Sequence, residues 1–431
     1  MEEPRERAKM QFKKTELKNG IRVVTENHPS SRSVSLGIWV LTGTRDEEEE
    51  NAGISHFLEH MVFKGTKTRS AYQIAKSLEQ LGGELNAYTT REYTVYHCLL
   101  LKDHWKKGLE VLSDLVSNMQ MKKEDYELER SVITQEIAMC EDDLEDMIYD
   151  VYFDKTLPKS PLGKPILGNI KSIAHMKMKQ VQSYYQRNYS GNNIIVAGAG
   201  NLDHHDLVEA VEKFLGQKKK RRFQVDRTKP SHKAARCVLE KSSEQLHLCM
   251  GFPVTSFRDR HRFDAFIVNT LLGGGMTSKL YQSVREKKGL VYTIYSSLNT
   301  FDDFGSINIY AACEKKNMKS VVKSIGQEIL RLKRHGISEH DVDLYKTQVK
   351  GAVLLGSEDI DNRMTSIAVN EMVFGKYKPI ETVIEEIDEV SVKSVNEFVQ
   401  RHIDPAALGM IMIGGGAKDL ESWFLNTEIG K

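Results

Sequence analysis

In AGISHFLEHMVF, residues 52–63, two histidines and a glutamate interrupt an otherwise apolar run. At about 100° per residue, His56 and His60 fall about 40° apart on a helix and Glu59 lies within about 100° of both, so all three project from one side. Phe57, Leu58, Met61 and Val62 cover the other side. The stretch has no Lys, Arg, Asp or Gln, so its polar side is no ordinary solvent face and must meet a site. Two imidazoles four residues apart can share one metal ion, and the carboxylate between them then stands beside an open coordination position. The competing reading is a pair of core histidines bonded to nearby backbone.

A second helical pattern, KKEDYELERSVITQEIAMCE, bears on that choice. Tyr126, Val132, Ile133, Ile137 and Cys140 form its apolar stripe, and Glu129 and Glu136 sit within the stripe. Seven residues is close to two turns, so both carboxylates face the way the apolar side chains face, where an unpaired charge costs several kcal/mol. A cation relieves that cost. With Glu136 as third ligand the set is His2Glu with an open fourth position, the pattern of a catalytic zinc site. Glu129, one level away, is suited to orient a ligand. The alternative for Glu136 is a buried salt bridge to a distant lysine or arginine.

The elements that must position these residues follow from periodicity. Strands are expected at 21–26 and 33–41, then a solvated loop, TGTRDEEEE, leading into the HFLEH helix. Gly65 stops that helix. Ser70 caps the next, AYQIAKSLEQL, which Gly82 and Gly83 end before the strand pair ELNAYTT and YTVYHCLLL. Long helices follow at about 104–118 and 122–145, and IIVAGAG at 194–200 reads as a buried strand. Residues 216–232, GQKKKRRFQVDRTKPSH, break the pattern and read as a solvated linker. A similar order then returns: strand QLHLCMGFPV, helix HRFDAFIVNTLL, a glycine break, helix SKLYQSVREKK, strands LVYTIYSSL and GSINIYAACE, further helices and a last strand GMIMIGG. The expected fold is therefore α+β in two homologous domains, 1–215 and 233–431, each a mostly antiparallel sheet packed with helices.

Composition limits the function classes. The 431 residues are 40% hydrophobic with a net charge of +1, enough for a large core and without the basic footprint of a nucleic-acid binder. KKKRR has no interleaved aromatics to change that. The five cysteines, Cys98, Cys140, Cys237, Cys249 and Cys313, include no CxxC pair, which fits a reducing compartment. The charged start, MEEPRERAKMQFKK, lacks the apolar segment of a signal peptide, and no apolar run reaches transmembrane length, so the expectation is a cytoplasmic protein with no membrane partner. Gly273, Gly274 and Gly275 match neither phosphate-loop pattern, and a tight turn accounts for them.

HFLEH has the H-x-x-E-H order of the inverzincins. Followed 76 residues after His60 by Glu136 of LERSVITQEI, it resembles the pitrilysin and insulinase family of zinc peptidases, most closely its processing-peptidase branch. LLGGGMTSKLYQSVREKKGLVYTIYSS is similar to that branch's second-half signature. The resemblance implies one zinc ion per protomer on His56, His60 and Glu136, with Glu59 as general base for the attacking water. It implies that Asn86 and Ala87 dock an extended peptide by strand addition, and that Phe63 and Tyr88 line pockets near the cleaved bond, although both aromatics also suit a plain core. Arg285 and Tyr292 match the family's substrate-holding pair. In larger members that pair comes from a distant domain of a chain twice as long, so the resemblance implies a homodimer, or a pair of related subunits, enclosing peptides or unfolded segments in a chamber. The absent glycine-rich loop favours the catalytic type over non-catalytic subunits. The chain start lacks a transit peptide, unlike mitochondrial members. Two other readings are a catalytically inactive peptide-binding or scaffold subunit of the same fold, and a metal hydrolase of small molecules.

Overall fold

The computed structural model describes residues 11–221 and 227–429. The reading of the chain start rests largely on residues 1–10, which lie outside that range, as do residues 222–226 of the expected linker. Two compact units emerge, and they are not the two contiguous halves. One comprises residues up to Ile137, Pro165–Arg227 and Leu355–Lys378; the other comprises Ala138–Lys164, Thr228–Leu354 and the chain from Pro379.

The first unit is built on a sheet of β1 (Gln11–Glu16), β2 (Arg22–Asn27), β3 (Ser33–Val40), β4 (Glu84–Thr89), β5 (Thr94–Leu101) and β6 (Ile194–Gly200), in the order β1-β2-β6-β3-β5-β4. Only β2 and β6 pair in parallel. In the second unit β7 (Arg236–Glu240), β8 (Leu246–Val254), β9 (Thr293–Thr300), β10 (Gly305–Cys313) and β11 (Gly409–Gly414) run in the order β7-β11-β8-β10-β9, with the parallel pair β7 and β11 at the matching place. From β2 onward the first sheet and the second therefore share one topology, as expected for a duplicated α+β unit.

Each sheet is apolar on both faces, which explains the exchange of segments. On one face of the first sheet lie α1 (Ile54–Phe63), α2 (Ala71–Glu79) and α3 (Trp105–Asn118), whose Phe57, Ile74 and Leu112 join Leu36, Tyr96 and Val196 in one core. The other face exposes Val24, Trp39, Val95 and Ile195 to a helix from late in the sequence, Ile360–Phe374, through Met364, Ile367 and Ala368. Gly37 makes this approach possible: a Cβ there would stand 2.7 Å from Met364 Sδ. Glu26 of β2 is buried against Arg363 of this helix, and Glu371 is buried against Lys14 and Arg22. The second sheet receives the converse helix, α5 (Leu144–Thr156), from early in the sequence, packed on Cys249, Tyr310 and Ile411. Its middle rests on Gly251, where a Cβ would meet Tyr152 Oη at 2.5 Å.

Two local readings change. SKLYQSVREKK is wound as a π-helix at Tyr281–Glu286, and β9 begins at Thr293, so Tyr292 stands just before the strand and not on it. Lys218, in the expected solvated run, sends its ammonium to Val116 O at 2.8 Å and Tyr189 O at 2.9 Å. The carbonyls ending α3 and the helix Met178–Asn188 need donors, and Lys218 supplies both.

Candidate active site

The helix that carries the histidines starts without a side-chain cap, because Gly53 precedes it in a left-handed conformation, φ +90°. Any Cβ at Gly53 would stand 2.6 Å from Leu167 O. Glu47 caps the helix from a distance: its two carboxylate oxygens accept the N–H groups of Gly53 at 2.7 Å and Ser55 at 2.8 Å. The expectation of a solvated DEEEE loop is thus corrected. Glu48, Glu49 and Glu50 are exposed, but Glu47 is buried as the anion at a helix N-terminus, and Asp46 receives the guanidinium of Arg227.

Along α1, Ile54, Phe57, Leu58, Met61 and Val62 are buried, leaving His56, Glu59 and His60 on the half-buried side. The two imidazoles lie with ring centroids 4.6 Å apart. Across from them runs α4 (Lys123–Asp142), which buries Tyr126, Glu129, Ile133 and Ile137. Glu136 Oε2 stands 3.4 Å from His60 Nε2 and 3.8 Å from His56 Nε2. These three side chains converge closely enough to hold one ion. Two turns along α4, Glu129 Oε2 accepts from His60 Nδ1 at 2.9 Å, and the other ring nitrogen, Nε2, faces Glu136. Glu129 Oε1 lies 2.5 Å from Lys64 Nζ.

The electrostatics suit a metal. Burial, and then the neighbouring His60, push the His56 pKa down to about 3, so its imidazole is neutral and offers a lone pair. Among the described residues His56 Nδ1 is buried without a hydrogen-bond partner. Two imidazole nitrogens and one carboxylate oxygen are the donor set zinc takes. Glu59 is not part of the cluster. Its Oε2 accepts the Thr89 hydroxyl at 2.5 Å, and burial, with the Glu136 charge adding to it, raises its pKa above the ordinary carboxylate value despite the Thr89 bond and the His60 charge. A raised pKa makes a carboxylate a better proton acceptor. Among the described residues one further such cluster, His205, Asp206 and Glu209, lies exposed on one helix.

The insulinase model (peptidase family M16) matches residues 22–169, and the model described as the peptidase M16 inactive domain matches residues 175–349. The chain belongs to the insulinase family of peptidases. It is 36% identical over 408 residues to an uncharacterized zinc protease of Mycobacterium leprae, covering 92% of this chain and 91% of that one. It is 34% identical over 405 residues to the uncharacterized zinc protease YmxG of Bacillus subtilis, covering 94% and 99%. A protease structure from Helicobacter pylori superposes with a TM-score of 0.88 at 20% identity, covering 94% of this chain and 99% of that one. A peptidase M16 inactive domain structure from Pseudomonas fluorescens superposes equally well, TM-score 0.88 at 16% identity over 94% and 98%. The first family match spans His56, Glu59, His60, Glu129 and Glu136; the second, the inactive-domain match, spans Arg285 and Tyr292. Among the described residues no helix is long and apolar enough to cross a membrane.

The remaining residues that the sequence resemblance nominated divide between the units. Asn86 and Ala87 lie on β4, the last strand of the sheet, and Asn86 Oδ1 accepts the Ala87 N–H at 2.9 Å. Phe63, at the end of α1, packs on Tyr96 with centroids 6.3 Å apart and lines a cavity beside β4. Tyr88 points the other way. Strand alternation puts Thr89 toward Glu59 and Tyr88 on the opposite face, among Trp39, Tyr93 and the Ile360–Phe374 helix. Arg285 and Tyr292 belong to the second compact unit, where the Arg285 guanidinium lies over the rings of Tyr281, 4.6 Å away, and Tyr292, 5.0 Å away. Tyr292 is 77% exposed.

Sequence reasoning missed Glu47, Lys64 and Thr89. Lys64 was within reach, four residues after His60 and so on the same helical face. Thr89 follows from strand alternation once Glu59 is known to face β4. Glu47 had no local signal, since it caps a helix seven residues downstream.

Proposed function

We propose that the protein is a zinc-dependent endopeptidase that hydrolyses peptides or unfolded protein segments. The observation that carries the reading is the convergence of His56 Nε2, His60 Nε2 and Glu136 Oε2 beside a separate carboxylate, Glu59, whose pKa is raised. One zinc ion held there would polarise a peptide carbonyl and lower the pKa of a water molecule to about 7. Glu59 takes the proton of the attacking water at one carboxylate oxygen while Thr89 holds the other, then returns it to the leaving amine. Glu129 fixes the His60 ring and its tautomer, and the edge of β4 receives the peptide backbone. The relatives named zinc protease support the class of reaction.

The assembly is a homodimer in which Arg285 and Tyr292 of one protomer complete the zinc site of the other. An exposed tyrosine stacked on an arginine, in a different compact unit from the histidines, supports this reading. A cytoplasmic location belongs to the same reading, supported by five free cysteines.

The test is cleavage of a quenched fluorogenic peptide by wild type and Glu59→Gln, each with its zinc content measured. Zinc in both and cleavage by wild type alone is the expected result. Zinc in both and cleavage by neither favours an inactive peptide-binding subunit. Mixing Glu59→Gln with Tyr292→Phe protomers should restore activity through hybrid dimers; none after demonstrated subunit exchange overturns the trans arrangement.

A further inference from the structure

Arg227 comes from the expected linker, belongs to the first compact unit and is tied into it by its guanidinium. Nε donates to Asp46 Oδ1 at 2.9 Å and Nη2 to Asp46 Oδ2 at 2.7 Å, so the fork of the arginine matches both oxygens of one carboxylate. Nη2 also donates to the Glu92 carbonyl at 2.6 Å, and Nη1 lies 3.7 Å from Glu92 Oε1. The Asp46 side chain is 4% exposed and that of Arg227 19%, so the pair is largely out of water, where removing one partner strands the charge of the other.

Each partner stands next to a residue that positions the candidate site. Asp46 precedes Glu47, whose two oxygens receive the Gly53 and Ser55 N–H groups and so set where the histidine helix begins; His56 follows at once. Asp46 also closes its own turn by accepting the Gly43 N–H at 3.0 Å. Glu92 lies in the turn from β4 to β5, just after Thr89, the residue that donates to Glu59. The two turns are joined directly. Thr44 N–H donates to Thr90 O at 3.2 Å, Arg45 N–H to Arg91 O at 2.8 Å, and Arg45 Nη1 to Glu92 Oε1 at 2.8 Å. A Cβ at Gly43 would stand 2.5 Å from Thr90 O, so there is no slack between them. Arg227 bridges this pair of turns from far along the chain, 181 residues from Asp46 and 135 from Glu92.

We infer that Arg227 is a positioning residue for the candidate active site: by joining Asp46 to the Glu92 carbonyl it fixes the start of the histidine helix against the strand end that holds Glu59. Its effect on cleavage rests on the peptidase reading; its effect on the helix start rests on the hydrogen bonds alone. A shift of about 1 Å in the first turn of α1 moves His56 relative to Glu136, and misplacements of that size cost up to about 100-fold in rate.

The experiment compares full-length wild type with Arg227→Met and with Arg227→Lys, which keeps the charge but has no fork to span Asp46. In zinc-free protein, hydrogen exchange read by mass spectrometry should be about tenfold faster at residues 53–57 and 89–93 of Arg227→Met and unchanged in β3 and α3. Zinc affinity, from competition with a chelator, should fall about tenfold. In the zinc-loaded protein, kcat on a quenched peptide should fall about tenfold with KM within about twofold of wild type, and Arg227→Lys should lie between. Adding Glu47→Gln to Arg227→Met should lower kcat by less than the product of the two single effects, because both act on one helix start. Exchange that is unchanged at 53–57, or raised equally in β3 and α3, overturns the inference, since a residue that only stabilises the unit loosens it everywhere. Unchanged kcat in Arg227→Met, or multiplicative effects in the double variant, overturns it as well. If wild type cuts no peptide, the peptidase reading has failed, and the exchange measurement, which needs neither zinc nor substrate, still decides the role of Arg227.

Discussion

His60 Nδ1 and Glu129 Oε2 stand 2.9 Å apart, with Lys64 Nζ 2.5 Å from the other oxygen of the same carboxylate. Glu129 is 1% exposed, and its charge is offset by the His60 N–H at one oxygen and the Lys64 ammonium beside the other. The pair locks the imidazole so that Nε2 faces Glu136. Replacing Glu129 by Gln keeps the shape and removes the charge, and zinc affinity should fall about 10- to 100-fold. Competition against a chromogenic chelator measures it, with circular dichroism as the folding control. Unchanged affinity would remove Glu129 from this role.

Glu47 makes a prediction about the helix start. An amide has one acceptor oxygen where the carboxylate has two, so Glu47→Gln leaves one of the Gly53 and Ser55 N–H groups buried without its bond. The cost is about 1–3 kcal/mol, read as a lower urea midpoint at unchanged slope. Glu48→Gln, next to it and exposed, should change stability by no more than about 0.5 kcal/mol.

Lys218 carries a pH signature. Burial lowers its pKa from 10.5 to about 8. Between those values the unfolded chain holds more protons than the native protein, so stability rises with pH there, is flat below about 8 and levels off above 10.5. Other groups titrate in the same range, so the informative quantity is the difference between wild type and Lys218→Met. That difference should grow in favour of wild type from pH 8 to 10.5. A difference independent of pH would mean that the ammonium is solvated.

The residues that declare themselves in the sequence do so by violating a local rule. HFLEH puts charge in a helix with no solvent face, and Glu136 puts charge in an apolar stripe, so both were legible before any coordinates. The strands with strong apolar patterns, β3, β5, β6, β8 and β10, were legible for the same reason. β1 was not, because QFKKTE carries no apolar face and is a strand only through its pairing with β2. Nor was the exchange of α5 and the Ile360–Phe374 helix: each has an ordinary helical pattern, and only the second apolar face of each sheet dictates where it goes. Tyr88 shows the limit at single-residue scale, since a resemblance can nominate an aromatic but strand parity decides which face receives it.

The exchanged helix is held by Glu26 and Arg363, and this pair gives the clearest acid dependence. Burial pushes the Glu26 pKa up, but the bonds from His28 and Arg363 outweigh it and hold the carboxyl at about 2, against 4.5 when unfolded. Tyr377 adds a third donor at 3.0 Å. A depressed carboxyl pKa stabilises the native state above the unfolded value, so the contribution, about 3 kcal/mol, is fully present above pH 4.5 and is lost as the pH falls toward 2. Glu26→Gln leaves the Arg363 charge buried and should cost about 3–5 kcal/mol at pH 7. In urea melts the gap between wild type and Glu26→Gln should therefore be widest at neutral pH and should narrow steadily between pH 4.5 and 2. A gap of constant size across that range would mean that Glu26 gains nothing from its charge, and that Met364, Ile367 and Ala368 hold the helix on the sheet by packing alone.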